Sequence, residues 1–153
     1  LTDGIRKVHD FLTVGAPAPL QEGVADALEQ LEADFYRGLA QSYRARRDLL
    51  FAALAESGFR CTPPEGAYYI LADYSELSEL DDTAFAVWLS REVGVTPVPG
   101  SSFFARGDGR SLVRFVFCKT EDVLQEAARR LRSIGRGGVA RGAEAAARSG
   151  LQG

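Results

Sequence analysis

Apolar residues recur every three or four positions through the first 57 residues, and this spacing predicts three helices. The first helix, 1–12, ends before Pro17 and Pro19, because a proline disfavours helix in the residue before it. The second helix begins with Pro19 in its first turn, and the third runs to Ser57. Gly58 follows, a residue type that commonly ends helices. The apolar faces of the three helices comprise Ile5, Val8 and Leu12; Leu20, Val24, Leu28 and Leu31; and Leu39, Tyr43, Leu50 and Leu54.

Short strand-like runs alternate with two helices in the rest of the chain. The predicted strands are 59–62, 67–72, 95–98 and 112–118. Asp81 begins a helix that buries Phe85, and Thr120 caps a last helix. Pro97 places the third strand at an edge, because proline cannot donate a hydrogen bond to a neighbouring strand. We therefore predict the α+β class: a small sheet of three or four short strands, covered mainly on one face by helices.

The predicted elements fall into three regions. Residues 1–36 form a helical segment ahead of the sheet, which leaves its amphipathic helices available to pack on something outside this chain. Residues 37–134 contain the sheet and form the main domain. Residues 135–153 are rich in Gly, Ala and Arg and have almost nothing to bury, so we expect a disordered tail without a site.

The composition narrows the possible functions. The chain has 153 residues, enough for one domain with a core, and its net charge of −3 gives no electrostatic argument for binding nucleic acid or an anionic membrane. No apolar run approaches the roughly 20 residues of a membrane span, and the first residues lack the pattern of a secretory signal. We interpret Cys61 and Cys118 as reduced core residues of a cytoplasmic protein. His9 is the only histidine, so neither a metal site nor a Ser–His–Asp triad is expected.

Arg114 is the most informative residue, because it lies in the most apolar strand-like run, 112–117. Strand alternation places it on one face with Leu112 and Val116. The other face takes Val113, Phe115 and Phe117. A fixed positive charge in such a run is costly unless an anion meets it, and a guanidinium matches a carboxylate through two parallel hydrogen bonds. The anion is either the carboxylate of a ligand or a surface Asp or Glu of this chain.

Five segments of the chain follow one another in the order found in one family of enzymes. They are 9–21 (HDFLTVGAPAPLQ), 43–48 (YRARRD), 64–69 (PEGAYY), 98–104 (VPGSSFF) and 113–117 (VRFVF). Together they resemble the class I aminotransferases of pyridoxal-phosphate fold type I, and most closely the kynurenine and methionine aminotransferase branch. The resemblance extends over most of the chain.

The resemblance implies roles for three residues. The family's aligned arginine binds the substrate carboxylate, and this role falls on Arg114. The expected ligands are therefore the α-carboxylates of an amino acid and of a 2-oxo acid. The family's loop at 99–104 forms a mobile wall of the substrate pocket, with Gly100 permitting the turn and Phe104 facing the substrate. The simpler alternative is a turn whose phenylalanines only anchor it to the core.

One part of the family's chemistry has no counterpart in this sequence. The family uses a lysine that forms a Schiff base with pyridoxal phosphate, and neither Lys7 nor Lys119 lies in a matching motif. We therefore expect the chain to be the C-terminal part of the enzyme, with 1–36 from the end of the large domain and 37–134 as the small domain. Pyridoxal phosphate would belong to the full enzyme, a homodimer. This chain alone would contain no catalytic or cofactor-binding residue and would be inactive.

Two other functions remain open. The first is a non-catalytic module with an aminotransferase-like domain, which senses an amino acid or docks on a partner. The second is a related pyridoxal-phosphate activity, such as a carbon–sulfur lyase or a decarboxylase, because the small domain barely distinguishes these reactions from transamination. An upstream Schiff-base lysine would separate an enzyme from a sensor, and product analysis would separate the enzymes from one another.

Overall fold

The computed structural model describes residues 2–13, 15–104 and 107–134. The helices are α1 (Thr2–Thr13), α2 (Ala18–Gln30), α3 (Ala33–Glu56), α4 (Asp82–Trp88) and α5 (Glu121–Arg132), and the strands are β1 (Arg60–Cys61), β2 (Tyr69–Asp73), β3 (Val98–Pro99) and β4 (Leu112–Val116). A π-helical turn, Leu89–Val93, continues α4, and a 3-10 turn, Gly100–Ser102, follows β3. The predicted α+β class is confirmed. The predicted tail, 135–153, lies outside the described residues.

The chain divides into two compact units, Leu1–Leu39 and Ala40–Gly153. In the first unit, Pro19 lies in the first turn of α2 as predicted, and α2 buries none of its residues. The exposed apolar side chains of this unit are Ile5, Val8, Leu12, Leu20, Val24, Leu28, Leu31, Phe35, Tyr36 and Leu39. Within the described ranges, no helix is both long enough and apolar enough to cross a membrane.

The four strands form one antiparallel sheet in the order β1-β2-β4-β3. β4 is therefore an inner strand, paired with β2 on one side and with β3 on the other. β3 begins directly after Pro97 and lies at an edge, as predicted. The register places Arg114 opposite Leu71 of β2 and opposite Val98 of β3. Arg114 thus stands near the middle of the sheet.

One face of the sheet is buried. Val113 and Phe115 of β4 and Ile70 of β2 are at most 3% exposed. They belong to a core cluster that also contains Leu50, Leu54, Phe59, Ala72, Tyr74, Phe85, Trp88, Leu89, Phe117, Leu124, Leu131 and Ile134. These residues come largely from the second half of α3 and from α4 and α5, so helices cover this face. Leu112, Arg114 and Val116 alternate with the buried residues and are only half-buried. The predicted alternation along β4 is confirmed.

The interpretation of both cysteines as core residues is wrong for Cys118. Its thiol is free and the residue is exposed, because β4 ends at Val116 and the chain has left the sheet two residues later. Cys61 lies on the edge strand β1 and is half-buried with a free thiol. Burial raises the pKa of the Cys61 thiol, which keeps it protonated at neutral pH.

Candidate functional site

The candidate site is the face of the sheet that carries Arg114. Alternation along β2 puts Tyr69, Leu71 and Asp73 on this face, opposite the buried pair Ile70 and Ala72. Leu71 is the direct cross-strand partner of Arg114, and Tyr69 is the partner of Val116, two residues further along β4. Tyr69 is therefore a diagonal neighbour of Arg114, within reach of a long side chain.

Two aromatic rings contact the guanidinium of Arg114. Its central carbon lies over the Phe103 ring, 4.2 Å from the ring centroid, and over the Tyr69 ring, 5.1 Å from that centroid. Each contact of this kind contributes about 0.5–2 kcal/mol, more when water is excluded. The two rings come from different segments, since Tyr69 belongs to β2 and Phe103 follows the turn after β3. The site is thus assembled from three segments of the sheet region.

No carboxylate of the described residues forms an ion pair with Arg114. The arginines with such pairs are Arg37, Arg47, Arg60, Arg129, Arg130 and Arg132. The Nε atom of Arg114 is buried and has no hydrogen-bond partner in the structure. Among the described residues, therefore, no surface Asp or Glu holds Arg114 as a structural ion pair.

Asp73, an acidic residue on the same face, is engaged elsewhere. Its carboxylate accepts a hydrogen bond from Arg60 at 2.7 Å and another from the backbone N–H of Ser75 at 2.8 Å. Burial raises the pKa of Asp73, but the hydrogen bonds from Ser75 and the guanidinium of Arg60 outweigh burial and lower it. Asp73 is therefore ionised and already partnered at neutral pH. The positive charge of Arg114 remains available to an external anion.

Gly100 is required by a close approach of two backbone segments. It is buried, and a Cβ atom at this position would lie 2.2 Å from the carbonyl oxygen of Gly109 and 2.6 Å from that of Leu112. The turn closes when the backbone N–H of Phe103 donates to the carbonyl of Gly100 at 2.9 Å. The sequence predicts that glycine permits the turn; the structure gives packing against Gly109 as the reason. A role of Gly100 in binding substrate stays a prediction.

The two phenylalanines of the loop have different neighbours. The ring of Phe103 is 47% exposed and lies over Arg114. Phe104 is half-buried, and its ring packs on Gly109, where an added Cβ would meet ring carbon Cδ2 at 2.4 Å. The prediction that Phe104 faces the substrate is untested by this geometry. Phe103 and Tyr69 are the two contacts of Arg114 that sequence reasoning missed, although alternation along β2 could have placed Tyr69 on the correct face.

Asp82 ties the loop of Phe103 to α4. It lies in the first turn of α4, is 4% exposed, and accepts a hydrogen bond from the backbone N–H of Ser101 at 2.6 Å. Asp81 caps the same helix by accepting from the backbone N–H of Ala84 at 2.8 Å, as predicted. Burial raises the pKa of Asp82, but the hydrogen bonds from Ser101 and from the backbone N–H groups of Thr83 and Asp82 itself together outweigh burial, and the net pKa is lowered.

We expect Asp82→Asn to lower the free energy of unfolding by about 1–2 kcal/mol near pH 7, because a charge-assisted hydrogen bond becomes a neutral one. The folded-state pKa of Asp82 lies below its unfolded value, so its ionised form stabilises the fold. This contribution is complete above about pH 4 and is lost as the pH falls through the folded-state pKa. Urea unfolding at about pH 7 and about pH 3 should show a loss that shrinks at the lower pH. Equal losses at both pH values would contradict the assignment, and Glu79→Gln, at an exposed residue, is the control.

The described residues offer few other reactive groups. They contain no group of three or more His, Cys, Asp or Glu side chains arranged to hold a metal ion. Lys7 and Lys119 are both exposed. Cavities of ≈ 480 and ≈ 220 Å³ occur in the second unit, and Arg114 lines neither of them. The larger cavity includes Phe115, on the opposite face of β4. Neither of these two cavities is therefore the site of Arg114.

Comparisons with known proteins agree with the motifs. The family "Aminotransferase class I and II" matches residues 1–131. The methionine aminotransferase of Escherichia coli (strain K12) is 44% identical over 130 residues, which are 85% of this chain and 33% of that protein. The kynurenine–oxoglutarate transaminase of Dictyostelium discoideum is 33% identical over 143 residues, and the match covers 80% of this chain and 33% of that protein.

Solved structures agree as well. The N-succinyldiaminopimelate aminotransferase of Mycobacterium tuberculosis superposes with a TM-score of 0.74 at 40% identity, covering 88% of this chain and 35% of that one. The chain spans about a third of the length of the curated relatives it matches. The match to the family covers most of the chain, and the structural neighbours share the fold type I architecture. The chain therefore belongs to the class I and II aminotransferases, a family of pyridoxal-phosphate-dependent transferases.

Proposed function

We propose that this chain is the C-terminal part of an amino-acid:2-oxo-acid aminotransferase, in which Arg114 binds the α-carboxylate of the substrate. The observation that carries the proposal is the guanidinium of Arg114, which lies on the half-buried face of the sheet with no carboxylate partner among the described residues. A half-buried charge of this kind is costly without an anion, and the missing anion is supplied by the substrate.

The chemistry of transamination fits a single carboxylate-binding arginine. The amino acid and the 2-oxo acid each carry a carboxylate next to the carbon that gains or loses the amino group. One fixed guanidinium can therefore orient both substrates by the group they share. The relatives are named for methionine, kynurenine and N-succinyldiaminopimelate, which differ in their side chains and have an α-amino acid group in common. Arg114 would bind this common group.

We propose that the described residues do not hold the pyridoxal phosphate by themselves. The cofactor is held covalently by a lysine in this family, whereas Lys7 and Lys119 lie in no matching motif and are both exposed. We therefore place the cofactor in the remainder of the complete protein, since the matched residues are only about a third of each relative. The part played by this chain is to bind the substrate and close over the cofactor domain.

The assembly and the location of the complete protein are also proposals. We propose a homodimer, because α1 and α2 expose apolar faces that a second copy or the rest of the protein would bury. We propose a cytoplasmic location, which agrees with the two free thiols Cys61 and Cys118. Measuring the mass of the complete protein in solution tests the dimer.

Product analysis of the complete protein tests the proposed reaction. With an amino acid, a 2-oxo acid and pyridoxal phosphate, we expect the donor to become its 2-oxo acid while the acceptor becomes its amino acid in equal amount. Ammonia and a thiol released without an acceptor would indicate a carbon–sulfur lyase instead. Binding of an amino acid with no product would indicate a sensing module.

The 153-residue chain by itself should bind no pyridoxal phosphate. We expect the cofactor's absorbance to separate from the protein on gel filtration, because neither lysine of the chain is placed to hold it. Copurification of one cofactor per chain would contradict this expectation. The complete protein, treated in the same way, is the positive control.

A further inference from the structure

The two rings beside Arg114 are held in place independently of each other. Tyr69 is fixed by the register of β2 on β4, and its ring makes an edge-to-face contact with Tyr68 at 5.6 Å. Phe103 is fixed by its own backbone hydrogen bond to Gly100, next to the bond that ties Ser101 to Asp82. The backbone segments that carry both rings are therefore fixed without help from a ligand.

The guanidinium nitrogens of Arg114 have different environments. Nε is buried and has no hydrogen-bond partner. The two Nη atoms also donate to no described residue, but they differ from Nε in that they are not fully buried. A carboxylate arriving from solvent would meet the pair of Nη atoms first, with its plane aligned to that of the guanidinium.

We propose that Tyr69 and Phe103 are positioning residues, which hold the Arg114 guanidinium with Nε turned inward and the two Nη atoms presented to the substrate carboxylate. This inference rests on the proposed function of Arg114 as the carboxylate-binding group. A free arginine side chain has many rotamers, and losing them on binding weakens affinity. The two rings remove part of that freedom in advance.

Because the rings act on the group that both substrates share, their effect should be the same for the two substrates. Phe103→Leu and Tyr69→Leu remove a ring but keep apolar volume, whereas Phe103→Tyr and Tyr69→Phe keep the ring. In the complete protein with its cofactor, we expect Phe103→Leu to raise KM about 5- to 10-fold for both the amino acid and the 2-oxo acid, with kcat changed less than about twofold. Tyr69→Leu should have a smaller effect, because its ring is 5.1 Å from the guanidinium rather than 4.2 Å.

The matched variants distinguish positioning from folding. Phe103→Tyr and Tyr69→Phe should retain the parental KM values, because the ring faces remain. Val123→Ala is the control, because Val123 of α5 is exposed to the same extent as Phe103, 49% against 47%. It should leave KM and kcat unchanged. Unchanged KM values in both leucine variants, or a loss of kcat alone, would overturn the inference.

A second measurement does not depend on activity. In the complete protein labelled with ¹⁵N-arginine, the Nε–H resonance of Arg114, assigned by its loss in Arg114→Lys, should be displaced by the two rings and exchange slowly with water. Phe103→Leu should move this resonance, and Val123→Ala should not. If the protein shows no transamination while this resonance behaves as expected, the proposed function fails, and only the orientation of Arg114 by the two rings stands. An Nε–H resonance like that of an exposed arginine would overturn the positioning role itself.

Discussion

Arg114→Lys is expected to lower kcat/KM of the complete protein by about 30- to 900-fold, equivalent to about 2–4 kcal/mol. Lysine keeps the positive charge but replaces the planar fork of donors by a single ammonium, so two parallel hydrogen bonds to a carboxylate become one point contact. The ammonium would also lose the contacts that the guanidinium makes with the rings of Tyr69 and Phe103. Most of the loss should appear in KM for both substrates, since both bind through the same group.

Arg91→Lys is the matched control for this experiment. Arg91 belongs to the same unit, is exposed, and makes no ion pair within the described ranges, so the identical change should leave kcat/KM within about twofold. An Arg114→Lys variant with the parental kcat/KM would remove Arg114 from the substrate site. If Arg114→Lys and Arg91→Lys lowered kcat/KM by similar factors, the loss would be a general effect of removing a guanidinium group.

The features of this fold that follow from neighbouring residues could be predicted from the sequence. The alternation along β4 assigns Arg114 to one face because the side-chain period of a strand is two, whatever the strand pairs with. The cap at Asp81 and the burial of Phe85 follow from local helix chemistry in the same way. The fold class could also be predicted, because the order of helical and strand-like runs determines it.

The features that were missed depend on contacts between distant segments. Tyr69 reaches Arg114 through the register between β2 and β4, which no local pattern supplies. Phe103 rather than Phe104 contacts Arg114, because the side-chain directions of the two residues depend on the turn at Gly100–Ser102 and not on strand alternation. Cys118 is exposed because β4 ends two residues before it, although the apolar run continues through Phe117.

The sequence predicts the turn at Gly100, but the reason that glycine is required there is packing against a segment distant in sequence. Replacing Gly100 should have the second large effect. We expect Gly100→Ala to lower the free energy of unfolding by about 2–3 kcal/mol, because the added methyl would lie within 3.0 Å of the carbonyl oxygens of Gly109 and Leu112. Both obstacles are backbone atoms, which cannot rotate aside as the end of a side chain can. Relief would require the turn to move away from β4, and Phe103 would move with it.

A graded series of alanine variants measures this effect by urea unfolding. Gly109→Ala should also destabilise the fold, because the carbonyl carbon and oxygen of Gly100 would lie 2.8 Å from the added Cβ, but it should cost less than Gly100→Ala. These backbone obstacles are farther away than those at Gly100, and the nearest obstacle, Cδ2 of Phe104, belongs to a side chain that can shift. Gly66→Ala should change the free energy of unfolding by less than about 0.5 kcal/mol, since an added Cβ there has nothing within 4 Å. The Gly100 variant should also have a raised KM for both substrates, because the position of the Phe103 ring over Arg114 depends on this turn. Equal stability of the Gly100 and Gly66 variants would show that the two backbone segments can separate at little cost, and the fixed position of Phe103 would then need another cause.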